Sequence, residues 1–427
     1  MKKSFVAFGA ALALTVLPSY SSIASKATFS DVEGHWFSES VVNAVIEGYI
    51  DGYDDGTFRP ELELSRGEFV KMVVTATHLT TDKVNPGSDL YAPYVTAAMA
   101  NGLLLPSDFQ QKDLNNPISR VEMAKMALRA TSDEFKGRAI DDRSAMLEAV
   151  RMGLIQGVGY GEIAPSGKTN RAQSVTIVDR ILKARAGVPL EVDQKAVSNA
   201  ELAKSGSNIL SRAADLLGGE ATIPLDPLNM SLETPDGLYK VTVESIVAID
   251  LEDPNDPNLD LLGDLGTLRW FNLSDPISSP LVQHYPKSYV LYFKHRVDFN
   301  HDPIQYDDRI GVVPDVTGFT GDVTDLNRNI LSRTATVFRN VPGDTPAVII
   351  PKQGFVAPGN LAIVLNAPMA QVGGNRFSKT IMSVKAPVQQ DLPDDKKTSD
   401  QIQKEIDKRM KEIQEMIERQ MSQPQTK

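Results

Sequence analysis

The sequence contains an internal repeat, marked by an arginine placed just before a predicted helix. Arg66, Arg120 and Arg171 lie 54 and then 51 residues apart. In each copy a glycine lies 18 residues before the arginine, at Gly48, Gly102 and Gly153. A shared internal spacing within a shared period predicts repeated structural units, and this constrains the fold more than any other feature of the chain.

Each copy is predicted to form a helix, a loop and a second helix. The first helix of each copy has apolar residues at helical spacing and ends on the glycine, which suits a C-terminal cap. These first helices are predicted at Ser38–Gly48, Ala92–Gly102 and Arg143–Gly153. The second helices are predicted at Glu68–Leu79, Glu122–Arg129 and Gln173–Ala186. Because one such pair cannot bury its apolar face alone, we expect an all-α, pseudo-trimeric bundle with a shared core.

The first copy carries the longest motif. It reads FSDVEGHW at Phe29–Trp36, GYDDGTFRP at Gly52–Pro60 and LSRGE at Leu64–Glu68. These residues resemble the S-layer homology family, whose pattern runs F-x-D-V-x-x-H-W, G-Y-x-D-G-T-F-x-P and then an I-T-R-A-E-like close. The resemblance covers about residues 29–187, as three tandem repeats of which the second and third are degenerate. It implies non-covalent attachment to a secondary polysaccharide of the bacterial cell wall.

The three arginines are the first candidates for ligand binding. Ser65-x-x-Glu68 and Ser119-x-x-Glu122 are capping boxes, and Asn170-x-x-Gln173 is the same device in other residues. A cap does not require a cation at the next position, and the helix dipole disfavours one there. Free N–H groups together with a guanidinium would form a carboxylate site.

The resemblance supplies a matching ligand, the carboxylate of ketal-linked pyruvate on the wall polysaccharide. We therefore predict polysaccharide binding by Arg66, Arg120 and Arg171. The alternative is that these arginines form salt bridges between repeats.

The loop of the first copy provides the other predicted contacts. Tyr53, Asp55 and Gly56 are predicted to line a sugar-binding groove, whereas Phe58 and Trp36 are expected in the core. The loop superficially resembles a calcium loop, but its twelfth position is leucine instead of glutamate, which argues against an EF-hand.

The later copies keep this loop only in part. The third copy retains Gly157, Gly161 and Pro165, but Tyr160 stands where the first copy has Asp55. The second copy lacks the loop. Grooves in this family form between neighbouring repeats, so the sequence leaves open which groove is functional.

Composition indicates an exported protein. Residues 1–24 have the pattern of a secretory signal, with Lys2 and Lys3 before the apolar run Phe5–Leu17 and a cut after Ala24. The chain has no cysteine, which argues against a disulfide scaffold and fits a wall protein outside a single membrane. Its net charge of −11 makes nucleic acid and anionic membranes poor partners. We expect no membrane span after the signal.

The chain after the repeats changes its pattern. Residues 190–218 are predicted to form one connecting helix that ends at Gly218-Gly219, and period-two alternation then begins. Short strands without interleaved helices predict a β-sandwich or open barrel at 220–388. The strands are predicted at 239–243, Ser288–Val297, Thr334–Arg339, Ala347–Pro351, Leu361–Leu365 and Lys379–Lys385. A C-terminal helix from Ser399 to about Met421 carries an isoleucine-rich stripe, and is predicted to pack on the β-domain, remain solvated or mediate oligomerisation.

The predicted organisation is thus multidomain α + β. The predicted boundaries are 1–24 signal peptide, 25–83, 84–134 and 135–187 for the three repeats, 188–219 connecting helix, 220–388 β-rich domain, and 389–427 linker and C-terminal helix.

The sequence shows no catalytic motif and predicts no cofactor. It has no Gly-x-Ser-x-Gly, His-Glu-x-x-His or P-loop pattern. A metal pair at His295 and His301 is less favoured than surface histidines, and a solvated acidic loop is favoured over calcium at Asp250, Asp253, Asp256 and Asp260.

The favoured function is that of an exported, wall-anchored surface protein that displays a binding or assembly domain, with a surface layer or self-association as possible partners. The alternative is an anchored extracellular enzyme with its active site in 220–388.

Overall fold

The computed structural model describes residues 29–83, 89–109, 114–271, 280–307, 311–319, 331, 334–338, 346–355, 357–368 and 377–387. These residues form helices and two antiparallel sheets, so the predicted mixed α and β composition is confirmed. The chain divides into two compact units, Met1–Ala200 and Glu201–Lys427. The predicted signal peptide and C-terminal helix lie outside the described residues.

The first unit is helical in its described part. Its helices are α1 (Ser38–Ile46), α2 (Arg66–Ala76), α3 (Ala92–Ala100), α4 (Arg120–Thr131), α5 (Asp142–Arg151) and α6 (Arg171–Arg185), and α7 (Gln194–Ser205) contains the boundary with the second unit. The six predicted helices are all present. The glycines two residues beyond α1, α3 and α5 have φ of +73°, +68° and +70°, the left-handed conformation that a C-terminal glycine cap requires.

Three backbone hydrogen bonds connect the segments in a ring. Leu64 N donates to Thr169 O at 3.0 Å, Ile118 N donates to Leu64 O at 3.0 Å, and Thr169 N donates to Ile118 O at 3.3 Å. The three residues precede α2, α4 and α6 by the same short distance, and all are at most 1% exposed. Each segment therefore completes the hydrogen bonding of another, and the ring closes only when all three are present.

The helices follow the same cyclic order. α2 packs on α3, α4 packs on α5, and α6 packs on α1, so each arginine-headed helix contacts the first helix of the next segment. Buried side chains from all three segments belong to one hydrophobic cluster, which includes Phe58, Phe69, Met123 and Val175. Among the described residues the three segments share this one core, which agrees with the expectation that one helix pair cannot bury its apolar face.

The second unit contains two antiparallel sheets. Its strands are β1 (Ala221–Ile223), β2 (Ser231–Glu233), β3 (Tyr239–Asp250), β4 (Arg269–Phe271), β5 (Ser288–Asn300), β6 (Val313–Thr317), β7 (Ala335–Phe338), β8 (Ala347–Pro351), β9 (Asn360–Asn366) and β10 (Ser378–Lys385). The strand orders are β1-β10-β9-β6 and β2-β3-β5-β8-β7-β4. Six of these strands contain or overlap the predicted ones, whereas β1, β2, β4 and β6 have at most five residues each and were not predicted.

Period-two alternation distributes the side chains of the six-stranded sheet between two clusters. Leu291 belongs to a cluster that also contains Ile363 and Ile381 from the four-stranded sheet. Its neighbour Val290 belongs to a separate cluster that also contains Trp270, Leu262 and Val282. Because successive residues of a strand point to opposite faces, the first half of β5 is buried on both faces.

The prediction of one connecting helix at 190–218 is wrong, because the helix ends just before Gly206. This glycine has φ of +71°, and α7 is followed by two short helices, α8 (Ile209–Arg212) and α9 (Ala214–Leu217). Ser207 Oγ donates to Ile246 O at 2.9 Å, and Asn208 bonds both the N–H and the carbonyl of Ala248. The backbone there is held by side chains that bond to β3, which an uninterrupted helix could not do.

We therefore predict that residues 201–219 stabilise the β-rich unit. Ile209, Leu216 and Leu217 belong to its core. A fragment 220–387 should be less stable than 201–387 by at least about 3 kcal/mol, since it loses these buried side chains. Urea denaturation followed by circular dichroism measures the difference.

A point variant tests the same claim within the whole chain. Asn208→Ala should destabilise the unit by about 2–3 kcal/mol, because two buried backbone groups lose their partner. Leu210→Ala, at a side chain that is 69% exposed, is the control and should change stability by less than about 0.5 kcal/mol. Equal stability of the two fragments would contradict the assignment.

Candidate functional site

The three arginine-headed helices begin with the predicted capping boxes. The side chains of Ser65, Ser119 and Asn170 accept from the backbone N–H three residues later. The side chains of Glu68, Glu122 and Gln173 accept in return from the cap residue. These caps are confirmed, and they leave the arginine at the first helical position.

The backbone N–H groups at these helix starts are occupied. The N–H of each arginine donates to a carbonyl of another segment at 3.0 Å: Arg66 to Asn116, Arg120 to Gly167 and Arg171 to Leu62. The following N–H groups donate in the same way to Leu114, Pro165 and Pro60. The premise that these N–H groups are free for an anionic ligand is therefore wrong, since they help to close the ring.

Arg171 holds the loop of the first segment. Its Nε donates to Phe58 O and its Nη2 to Asp51 O, both at 2.9 Å. The guanidinium also lies over the rings of Phe58 and Tyr53, at 4.7 and 5.2 Å from their centroids. Its burial lowers the pKa of Arg171 from its ordinary value. This arginine thus fixes the loop that carries the predicted sugar contacts.

Arg120 does the same for the loop of the third segment. Its Nε donates to Ile163 O at 2.9 Å and its Nη2 to Gln156 O at 2.6 Å. These acceptors lie 105 residues after Phe58 and Asp51, so the contact is the counterpart of the one made by Arg171. Burial, and then the positive charge of Arg180, lower the pKa of Arg120.

Arg66 differs from the other two arginines. Its Nη2 lies 2.8 Å from Glu122 Oε1, and its Nε lies 3.2 Å from both carboxylate oxygens. This is the salt bridge between segments that the sequence left open as an alternative. The second segment lacks the loop motif, and here a carboxylate takes the place of loop carbonyls. Arg66 Nη1 is buried and has no hydrogen-bond partner among the described residues.

The loop of the first segment is tightly ordered by its own side chains. Asp55 accepts from Thr57 Oγ1 at 2.6 Å and from Arg59 Nη2 at 3.0 Å, and these bonds lower its pKa to about 2. The Arg59 guanidinium stacks on the Tyr53 ring at 3.8 Å. Gly56, with φ of +77°, donates to Tyr53 O at 3.0 Å. The three predicted contacts in this loop therefore lie together, and polysaccharide binding by them stays a prediction.

Trp36 was expected in the core, and this is wrong. Its side chain is 66% exposed, whereas Phe37 and Phe58 are 3% and 0% exposed. The Trp36 ring meets the edge of Phe37 at 5.3 Å. Phe37, the residue just before α1, occupies the core position instead. The expected burial of Phe58 is confirmed.

A buried ion pair was not anticipated from the sequence. Arg129 on α4 is fully buried and its Nη1 lies 2.6 Å from Asp108 Oδ2. Its Nε and Nη2 donate to Arg138 O. An arginine in the last turn of a helix ordinarily faces solvent, so the pattern alone gave no signal for its burial.

The metal alternatives considered in the second unit have other partners. Lys352 Nζ lies 2.9 Å from Asp250 Oδ2 and 2.8 Å from Glu252 Oε2, which compensates the acidic loop. Burial lowers the pKa of His295, so its neutral form is favoured. Within the described ranges, no group of three or more His, Asp or Glu side chains could hold a metal ion.

Comparison with known proteins identifies the first motif. Residues 28–70 match the S-layer homology domain, so the chain carries that domain, as the sequence predicts. The domain supports the predicted secreted, cell-wall-associated location. Among the helices that the structure describes, none is long and apolar enough to cross a membrane.

Three relatives illustrate the range of proteins that share this part of the chain. An exoglucanase XynX of Acetivibrio thermocellus is 25% identical over 177 residues, which is 36% of this chain and 16% of the relative. A cellulosome-anchoring protein of the same species is 42% identical over 48 residues, 11% of each chain. The S-layer protein sap of Bacillus anthracis is 30% identical over 110 residues, 24% of this chain and 13% of the relative. The chain thus spans less than a fifth of the length of each.

The buried ion pair of Arg66 yields a stability prediction. Arg66→Leu should lower the free energy of unfolding by about 3 kcal/mol, because it leaves the Glu122 carboxylate, 7% exposed, without its partner. The double variant Arg66→Leu/Glu122→Gln should recover a large part of that loss. Thermal and urea melts of the first unit measure both changes.

The exposed pair of Arg59 and Asp55 provides the control. Its side chains are 50% and 52% exposed, so Arg59→Leu should cost less than about 1 kcal/mol. If Arg66→Leu loses no more stability than Arg59→Leu does, the buried pair is dispensable for folding.

Proposed function

We propose that the three segments are three S-layer homology repeats, and that together they anchor the protein to a secondary cell-wall polysaccharide. The match of residues 28–70 to that domain carries the proposal. The cyclic arrangement of α1 to α6 supports a single pseudo-trimeric bundle as the anchoring unit. On this reading the grooves lie where the arginine of one segment reaches the loop of another.

The groove of the first segment is the best preserved in sequence. Tyr53, Asp55 and Gly56 are fixed there by the Arg171 guanidinium and by bonds within the loop. The loop presents the Arg59 side chain and the Asp55 carboxylate to solvent, together with part of the Tyr53 ring. An ordered loop with an aromatic ring and polar groups suits a sugar, since little conformational entropy is lost on binding.

The arginines have unequal roles in this proposal. Arg120 and Arg171 direct their guanidinium groups to loop carbonyls, so they act on the polysaccharide by shaping the grooves. Arg66 keeps one nitrogen, Nη1, without a partner in the described part of the chain. We therefore propose that the pyruvate ketal carboxylate binds at Arg66, where it would have to displace neighbouring side chains to reach the buried Nη1.

The second unit is proposed to be a displayed binding or assembly domain. The alternative is an anchored enzyme with its active site in 220–388, and the observation that favours it is the exoglucanase among the relatives. A binding role for this unit leaves open a surface layer or a second copy of the chain as its partner.

We predict that the protein sediments with purified cell walls that retain their polysaccharide. The contact of the pyruvate carboxylate with Arg66 should be decisive. Walls stripped of the polysaccharide, or of its pyruvate, should therefore bind at least tenfold less protein. Undiminished binding to bare peptidoglycan would contradict the proposal.

The variant Arg66→Lys separates binding from folding. A lysine keeps a positive charge beside Glu122 but lacks the planar fork and its Nη1 donor. Affinity should fall about ten- to a hundredfold, the loss expected for one charged hydrogen bond. Because lysine cannot reproduce the Nε and Nη2 contacts with Glu122, a lower melting temperature is expected, and affinity is measured at a temperature at which both proteins are fully folded. Normal affinity would remove Arg66 from the site.

A further inference from the structure

Tyr160 lies at the tip of the third loop in an unusual conformation. Its side chain is 97% exposed, and its φ is +45°. Its neighbours Gly159 and Gly161 have φ of +52° and +73°, so three successive residues have positive φ. Glycine adopts this region freely, but a residue with a Cβ is disfavoured there. A tyrosine at this position is therefore strained and gains nothing from burial.

The base of the loop is held firmly. Arg120 donates to the carbonyls of Gln156 and Ile163 on the two sides of the tip. Gly157 N donates to Asp193 Oδ2 at 3.0 Å, and Asn199 Nδ2 donates to Gly161 O at 2.8 Å. These bonds fix the backbone on which the ring is mounted.

The two sides of the loop also approach each other very closely. A Cβ on Gly157 would lie 2.4 Å from Gly161 Cα, and a Cβ on Gly161 would lie 2.4 Å from Lys195 Cγ. The loop is therefore narrow and closely packed, and the exposed tyrosine is not the end of a loose segment.

The corresponding residue of the first segment shows what Tyr160 replaces. Asp55 closes its turn by accepting from Thr57, a bond within the loop that a tyrosine ring cannot make. The third segment lacks that stabilising carboxylate and instead has an exposed aromatic ring on a strained backbone. Folding stability does not account for this exchange, whereas a contact with a ligand does.

We propose that Tyr160 is a carbohydrate-stacking residue, whose ring packs on the C–H face of one pyranose unit of the cell-wall polysaccharide. The aromatic face is electron-rich and attracts the polarised C–H groups of a sugar. The Arg120 guanidinium beneath the loop is directed to carbonyls, so a neutral pyranose suits this place better than an anionic group. A protein partner would need a contact area of about 1,000 Å², which one ring at a loop tip does not supply.

This assignment rests on the proposed function, and it adds a second contact outside the motif of the first segment. Its test uses the full-length chain and polysaccharide released from purified cell walls by enzymatic digestion of the peptidoglycan, which leaves acid-labile pyruvate ketals intact. Isothermal titration calorimetry would compare the wild type with Tyr160→Gly, Tyr160→Asn and Tyr160→Phe. Glycine and asparagine both tolerate positive φ, so neither variant should lose the fold.

We expect Tyr160→Gly and Tyr160→Asn to bind about three- to tenfold more weakly, with melting temperatures equal to or above that of the wild type. Tyr160→Phe keeps the ring and should bind within about twofold of the wild type. Leu228→Ala, which removes a side chain that is 94% exposed in the second unit, is the matched control and should bind normally.

The outcomes separate this inference from the proposal on which it rests. A wild type that fails to bind the polysaccharide would overturn both. A wild type that binds, with Tyr160→Gly and Tyr160→Asn binding equally well, would overturn the role of Tyr160 alone.

Discussion

The ring of backbone hydrogen bonds among Leu64, Ile118 and Thr169 is the interaction on which the first unit depends. Each of these residues donates to one segment and accepts from another, so no segment can satisfy its buried backbone groups alone. A buried N–H or carbonyl without a partner is strongly unfavourable. The same ring brings the starts of α2, α4 and α6 together, and thereby sets where the three arginines and the loops meet.

The arginine at the first helical position is explained by this geometry. A cation there is disfavoured by the helix dipole, but Arg120 and Arg171 donate from their guanidinium groups to loop carbonyls. Such charge-assisted bonds are stronger than neutral ones, and they outweigh the weak dipole term. Arg66 faces a segment without the loop motif and pairs with Glu122 instead. Arg66 thus differs from the other two arginines because the second segment lacks the loop motif.

Repeat spacing and capping patterns were enough to predict the six helices, their caps and the arginine positions. They could not show that the N–H groups of Arg66, Arg120 and Arg171 are occupied, because their acceptors lie about 50 or more residues away in the chain. Trp36 and Phe37 are adjacent aromatic residues, and the sequence pattern does not distinguish which of them is buried. Alternation of apolar and polar residues predicted the long strands β3 and β5. A three-residue strand such as β1 is too short to show that alternation, and is recognised only by its pairing with β10.

The central claim is that the three segments close as one cooperative ring. Native-state hydrogen exchange of the Leu64, Ile118 and Thr169 amides tests it most directly, because each amide reports one of the three bonds. The account predicts that all three exchange only through unfolding of the whole helical unit, with the same free energy of opening. Exchange of one amide at a clearly lower free energy than the other two would show that a segment opens independently, and would contradict the account.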